Sequence, residues 1–208
     1  MNHQPIFPTS YGASLAVRAG LAFGLALLCS GCLAPKSYVD PQFRRASYQN
    51  LKNIESPHRV TVGVEFQING KREKEQESIV RRKVIRMLNT TRMFAEADAA
   101  GASQAGRLEV TVNNFGSVGS AFGKELATRL TLGMVGSHVI DDYEMTVVYS
   151  RPGGAPSTKK YKHAVHTIVG AKSKPIGMEQ VPRADAFDQV VEEMLLSFLR
   201  DIQSEGQL

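Results

Sequence analysis

Cysteine is nearly absent from this chain: two among 208 residues, Cys29 and Cys32. Two thiols cannot make a disulfide framework, so a fold of this length must be held by its apolar core. Tryptophan is missing altogether and aromatic residues make up 7%. Nine prolines and 18 glycines are too few for a low-complexity chain. No apolar run reaches the roughly 20 residues that a membrane-crossing helix needs. The net charge of +5 is spread over the sequence, with no basic stripe interleaved with aromatics, which argues against nucleic-acid binding. The densest charged run, Lys71-Arg72-Glu73-Lys74-Glu75-Gln76-Glu77, alternates in sign and reads as a solvated helix face.

Acid is also missing where it is informative. Residues 1–31 hold no Asp or Glu and a single basic residue, Arg18. Directly after Arg18 come ten uncharged, mostly apolar residues, Ala19 to Leu28, and then the small residues Ser30 and Gly31. A basic start, a short apolar run and a small-residue end make a secretory signal. Extending the run backwards would put Arg18 in the middle of the bilayer, at high cost, so an uncleaved anchor is the weaker alternative.

The C-x-x-C spacing of Cys29 and Cys32 allows a redox pair, half a metal site or a processing signal. No His or second Cys pair lies nearby to complete a tetrahedral set. Ser30-Gly31-Cys32, with Leu27 and Leu28 just upstream, resembles the lipobox of bacterial lipoproteins, with Cys29 where that pattern usually has Leu. A simple signal peptide is the alternative. The resemblance implies that Cys32 is lipidated, becomes the mature N-terminus and takes palmitate-type acyl chains. Several chains hold a protein stably on a membrane, at about 0.8 kcal/mol per buried methylene. It also implies that Cys29 is removed and that Leu33, which is not Asp, directs the protein to the outer membrane. Cleavage after Gly31 takes one Arg and no acid, leaving a charge of +4 and no free thiol.

Four segments are expected: a signal peptide over 1–31, a lipidated N-terminus and tether over 32–57, a periplasmic-type domain over 58–203 and a short tail over 204–208. The tether is polar and aperiodic, and Tyr38, Phe43 and Tyr48 give it the means to strap onto the domain or a partner.

The domain begins with alternation: Val60, Val62, Val64, Phe66 and Ile68 predict a strand with one buried face, ended by Asn69-Gly70. Val80, Val84, Met87 and Leu88 mark one face of a helix within 71–94. Further strands are predicted around Leu108–Val112, Tyr143–Tyr149 and 160–169, the last two joined by the hairpin loop Arg151–Pro156. A final helix carries Phe187, Val190, Val191, Met194, Leu195, Phe198, Leu199 and Ile202, with Asp185 as its N-cap. The expected fold is α+β: a mostly antiparallel four-stranded sheet with two amphipathic helices on one face, in the order strand-helix-strand-strand-strand-helix. That order resembles small envelope lipoproteins such as the LPS-assembly lipoprotein, the peptidoglycan-synthase activator lipoproteins and the curli-secretion lipoprotein. The likeness covers element order only and carries over no functional residue.

The segment from Gly116 to Ile140 is ambiguous. Gly123-Lys124 suggests a phosphate loop, but Val118 stands where the first Gly should be and Glu125 replaces the hydroxyl. Leu126–Ile140 carries one formal charge, Arg129. It reads either as a buried hairpin or connecting strand, or as an exposed apolar loop that touches lipid or a partner. Leu132, Gly133, Met134, Val135 and Gly136 are its candidate interaction residues.

Catalytic signatures are thin. His163 and His166, three apart on a predicted strand, face opposite sides and cannot chelate one ion. Asp141-Asp142 reads as punctuation at a strand start. No G-x-S-x-G or H-E-x-x-H motif occurs. The sequence therefore points to a non-enzyme with no metal or other cofactor: a structural or assembly accessory in the envelope, bound to the membrane by its lipid and to other envelope proteins. The alternative is a periplasm-facing binder of a small or lipidic ligand.

Overall fold

The computed structural model describes residues 35–208 apart from 45, 102–104, 117–136 and 171. The expected strands and helices form, with additions at both sheet edges. In chain order they are β1 (Lys36–Val39), β2 (Arg59–Ile68), β3 (Lys71–Arg72), α1 (Lys74–Thr91), β4 (Glu96–Asp98), β5 (Gly106–Asn114), β6 (Ser137–Ser150), β7 (Ser157–Val169), β8 (Gln180–Val181) and α2 (Arg183–Ser204). One sheet contains all eight strands, in the order β3-β2-β5-β6-β7-β1-β8, with β4 also paired to β2.

The fold class is α+β, but the expected count of four strands is too low. β2, β5, β6 and β7 are the four that alternation revealed. β3, β4 and β8 are two or three residues long, too short for any period to show. β1 falls in the stretch read as tether. It pairs antiparallel with β7, Lys36 opposite Ile168 and Val39 opposite Val165. Pairing is mostly antiparallel, with β2 parallel to β5 and to β4. A parallel pair needs a crossover, and α1 supplies it.

One face of the sheet carries the core. Val60, Val62, Val64 and Phe66 of β2, Leu108, Val110 and Val112 of β5, and Tyr143, Met145, Val147 and Tyr149 of β6 are all buried. They pack in one cluster with Val80, Val84 and Leu88 of α1 and with the whole predicted stripe of α2. The helices also touch each other: Lys83 of α1 pairs with Asp188 of α2 and lies over the ring of Phe187. Phe187 in turn meets Phe66 edge-on at 5.8 Å between centroids. Side chains thus fill the space between the layers.

Three details differ from the sequence reading. α2 starts at Arg183 behind Pro182, so Asp185 lies in its first turn, where its charge suits the helix dipole, and is not the cap. Asp141 and Asp142 lie inside β6, with Asp141 buried. In the charged run, Lys71 and Arg72 form β3 and Glu77 is buried: Arg72 donates to both of its carboxylate oxygens, at 2.6 and 2.8 Å.

β6 and β7 run on beyond β5. The β5–β6 ladder ends at Asn114 opposite Tyr143, whereas β6 continues to Ser137, opposite Val169. The extra six residues project by about 20 Å, and β1 borders them on the far side of β7.

Candidate functional site

The densest polar arrangement lies where β1 hands over to a strap across β7 and α2. Asp40 follows β1 and caps a 3-10 turn, Pro41–Phe43, by accepting from the Gln42 backbone N–H at 3.0 Å. The proline fixes the φ that the turn needs. The turn brings Phe43 against the ring of His163, with centroids 5.5 Å apart. It also lets Arg44 donate from Nε to Oε1 of Glu193 at 2.9 Å.

Glu193, on α2, is buried and saturated with donors. Its Oε1 also accepts from Gln189 at 2.8 Å, and its Oε2 faces His163 Nε2 at 2.9 Å. Because a carboxylate accepts only, His163 must donate from Nε2. Its Nδ1 accepts from the Ala164 N–H at 2.9 Å, which defines the neutral tautomer. Burial alone would raise the Glu193 pKa, but the hydrogen bonds from His163 and Gln189 and the charge of Arg44 outweigh it and hold the carboxyl below its usual range. The group is committed to pinning the strap and α2 to β7.

The opposite face of β7 carries a second arrangement. His166 Nδ1 lies 2.9 Å from His138 Nε2, with the rings stacked 5.1 Å apart, and His166 Nε2 lies 3.4 Å from Asp40 Oδ2. His163 and His166 therefore do face opposite sides. Among the described residues no three His, Cys, Asp or Glu side chains converge as a metal-ligand set.

Open depressions surround the strap. One of about 450 Å³ lies among Phe43, Tyr161, Met194 and Ser197. Another of about 450 Å³ lies between Phe43 and Phe115, floored by Tyr143, Glu144, Lys162 and His163. Beside them runs a sheet edge. β1 pairs with β7 only over residues 165–168, and the Asp40 N–H donates to the Ala164 carbonyl at 3.1 Å. By the two-residue repeat of a strand, Lys162, Lys160 and Thr158 turn their backbone N–H and C=O groups to that same side. Among the described residues no strand pairs there.

Cys32 and the segment Leu132, Gly133, Met134, Val135 and Gly136 lie outside the described residues. Of the ambiguous stretch, Ser137–Ile140 opens β6, with Ile140 45% exposed. Sequence reasoning missed Arg44 and Glu193. A signal for Glu193 existed: Ala186, Glu193 and Ser197 recur at helical spacing beside the apolar stripe and widen its buried face.

Among the described residues no helix is long and apolar enough to cross a membrane. No protein-family model matches the chain, and no curated protein matches it. The solved structures similar to this chain at a low level include two of note. One is the rare lipoprotein B from Shewanella oneidensis: 10% identity, TM-score 0.36, covering 71% of this chain and 93% of that one. The other is an uncharacterized protein: 14% identity, TM-score 0.30, covering 72% of this chain and 89% of that one. Likeness at these scores assigns neither a family nor an activity.

Proposed function

We propose that this chain is a lipid-anchored accessory of the bacterial envelope, held at the outer membrane through Cys32 and acting through protein–protein contacts. The observation that supports contact as its mode of action is the edge of β7 over residues 158–162, along which no strand pairs among the described residues. Open edges accept an added strand from a partner. Lysines discourage indiscriminate pairing along such an edge, and Lys160 and Lys162 stand on this one. A partner strand with acidic side chains at matching positions satisfies both features.

The test places a photo-crosslinking amino acid at Lys162 in cells, with Arg82 on the exposed face of α1 as control. The reading expects a discrete envelope-protein adduct from position 162 and none from 82. Identical patterns from both positions would overturn it. The anchor is tested separately: Cys32→Ser abolishes acyl labelling, and labelled palmitate on that variant refutes lipidation at Cys32.

The depression between Phe43 and Phe115 favours the second reading, a small or lipidic ligand. Its roughly 450 Å³ falls in the size range of ligand sites. On that reading a saturable ligand is lost in Phe43→Ala while the β7 edge gives no adduct.

A further inference from the structure

The projecting end of the sheet has the position and the chemistry of a membrane-contacting surface. Lys36, Ile168 and His138 lie in one row across β1, β7 and β6, and the next row, Val169 opposite Ser137, is the last among the described residues. Only Leu33, Ala34 and Pro35 separate Lys36 from Cys32. Four residue steps span at most about 14 Å, so an acylated Cys32 keeps this row within that reach of the lipid.

The side chains around this end suit a bilayer surface. Ile140, three residues from the start of β6, is 45% exposed. Lys36 and Lys172 are exposed at the same end. Lys172 lies close enough to His138 to act on it: burial first, then His166 and Lys172, lowers the His138 pKa. Asp141 and Asp40, the nearby acids, are buried, and Asp142 is exposed further down the strand. An exposed isoleucine flanked by lysines fits the headgroup layer, where the lysine stem inserts and the ammonium meets phosphate.

We propose that the end of the sheet formed by Lys36, His138, Ile140 and Lys172 docks on the bilayer that holds the anchor, with the lysines on anionic headgroups. This rests on acylation of Cys32. It sets the domain upright: β7 runs 13 residues from this end to the hairpin Arg151–Pro156, which then stands about 40 Å from the membrane.

The processed chain has no other thiol, so single cysteines report position cleanly. The full-length acylated protein is reconstituted in vesicles of phosphatidylethanolamine and phosphatidylglycerol, carrying Ile140→Cys, Lys172→Cys or Ala155→Cys labelled with an environment-sensitive fluorophore. Nitroxide headgroup lipids are the quencher. Quenching several-fold stronger at 140 and 172 than at 155 is expected. Equal quenching at all three overturns the docking, as does a blue-shifted but unquenched label at 140 and 172, which would mean that protein covers this end. If Ile140→Cys disturbs folding by circular dichroism, the Lys172→Cys and Ala155→Cys pair decides. Failure of the anchor reads differently: wild type does not float with vesicles, and Cys32→Ser behaves like it. If wild type floats, Cys32→Ser does not, and the labels stay unquenched, the anchor stands and the docking is wrong.

Discussion

His163 and Glu193 meet inside the core, Nε2 to Oε2 at 2.9 Å, and the contact joins β7 to α2 where the strap crosses both. Removing the carboxylate leaves the His163 N–H without its acceptor and Arg44 without its counter-charge. A buried neutral donor left without its acceptor costs about 1–3 kcal/mol, and the exposed Arg44 adds little because water takes over its charge. At roughly 2–4 °C per kcal/mol for a domain of this size, Glu193→Ala lowers Tm by about 5 °C. The double variant Glu193→Leu with His163→Phe removes both partners and recovers part of that loss. Thermal unfolding of the three proteins checks this. A double variant less stable than Glu193→Ala would show that the pair does not govern the cost.

Glu77 works similarly at the other edge. Arg72 donates to it from β3 and Arg81 from the next turn of α1, at 2.9 Å, so the carboxylate clips the β2–β3 hairpin to the helix. The Arg72 hydrogen bonds, against an opposing effect of burial, lower its pKa. A lowered carboxyl pKa contributes stability above the unfolded value, near 4.3, which is lost as pH falls through the folded value. Glu77→Gln therefore lowers Tm by a few degrees at pH 7 and makes Tm less sensitive to pH below about 4.5. Parallel Tm–pH curves for the variant and wild type below pH 4.5 would refute the clip.

The α2 stripe gives a sharper contrast. Leu195 is 1% exposed, and Leu195→Asp buries an unpaired carboxylate, so the domain should not fold. Leu195→Ala should cost about 2–5 kcal/mol. The control belongs on α1: Arg82→Gln, at an exposed position, should stay within about 0.5 kcal/mol. Glu192 is unsuitable because the Tyr48 hydroxyl donates to it across the strap. Urea unfolding of Leu195→Ala and Arg82→Gln decides, and equal midpoints would refute the assignment.

These residues show what the sequence made legible. Strands of nine or more residues and the α2 stripe declare themselves because alternation and the 3.6-residue period persist long enough to be counted. β1 has no such length; its Lys36-Ser37-Tyr38-Val39 becomes a strand only because the end of β7 offers it a partner. Glu193 and Glu77 look like surface acids in sequence, since pairing with Arg44 and Arg72 depends on chain segments 149 and 5 residues away meeting in space. The sites are less legible than the fold for that reason: periodicity reports which face is buried, not which polar group it takes along.

The last prediction concerns pH and rests on His58. Its Nε2 lies 2.9 Å from the Tyr149 hydroxyl, which itself donates to the Gln207 carbonyl at 3.3 Å, so the imidazole N–H donates to the tyrosine oxygen. The ring also meets Phe94 edge-on at 5.6 Å and lies over Tyr149. Burial in this aromatic setting, and then the charge of Arg151, lowers the His58 pKa. A histidine whose folded pKa is lowered takes up its proton more readily when unfolded. Stability therefore falls as pH drops below the unfolded value, near 6.5, and levels off below the folded one. His138 contributes in the same direction, for burial and for its neighbours His166 and Lys172. Glu77 and Glu193, with lowered carboxyl values, begin to lose their contributions only below about pH 4.5. Between pH 7.5 and 5.5 the histidines act without them. Wild-type Tm should drop across that interval, and the drop should shrink in His58→Gln and shrink further in His58→Gln with His138→Gln, even though both variants start from a lower Tm. A wild-type Tm that rises on acidification to pH 5.5, or a drop unchanged in the double variant, would show that these two rings do not set the pH dependence.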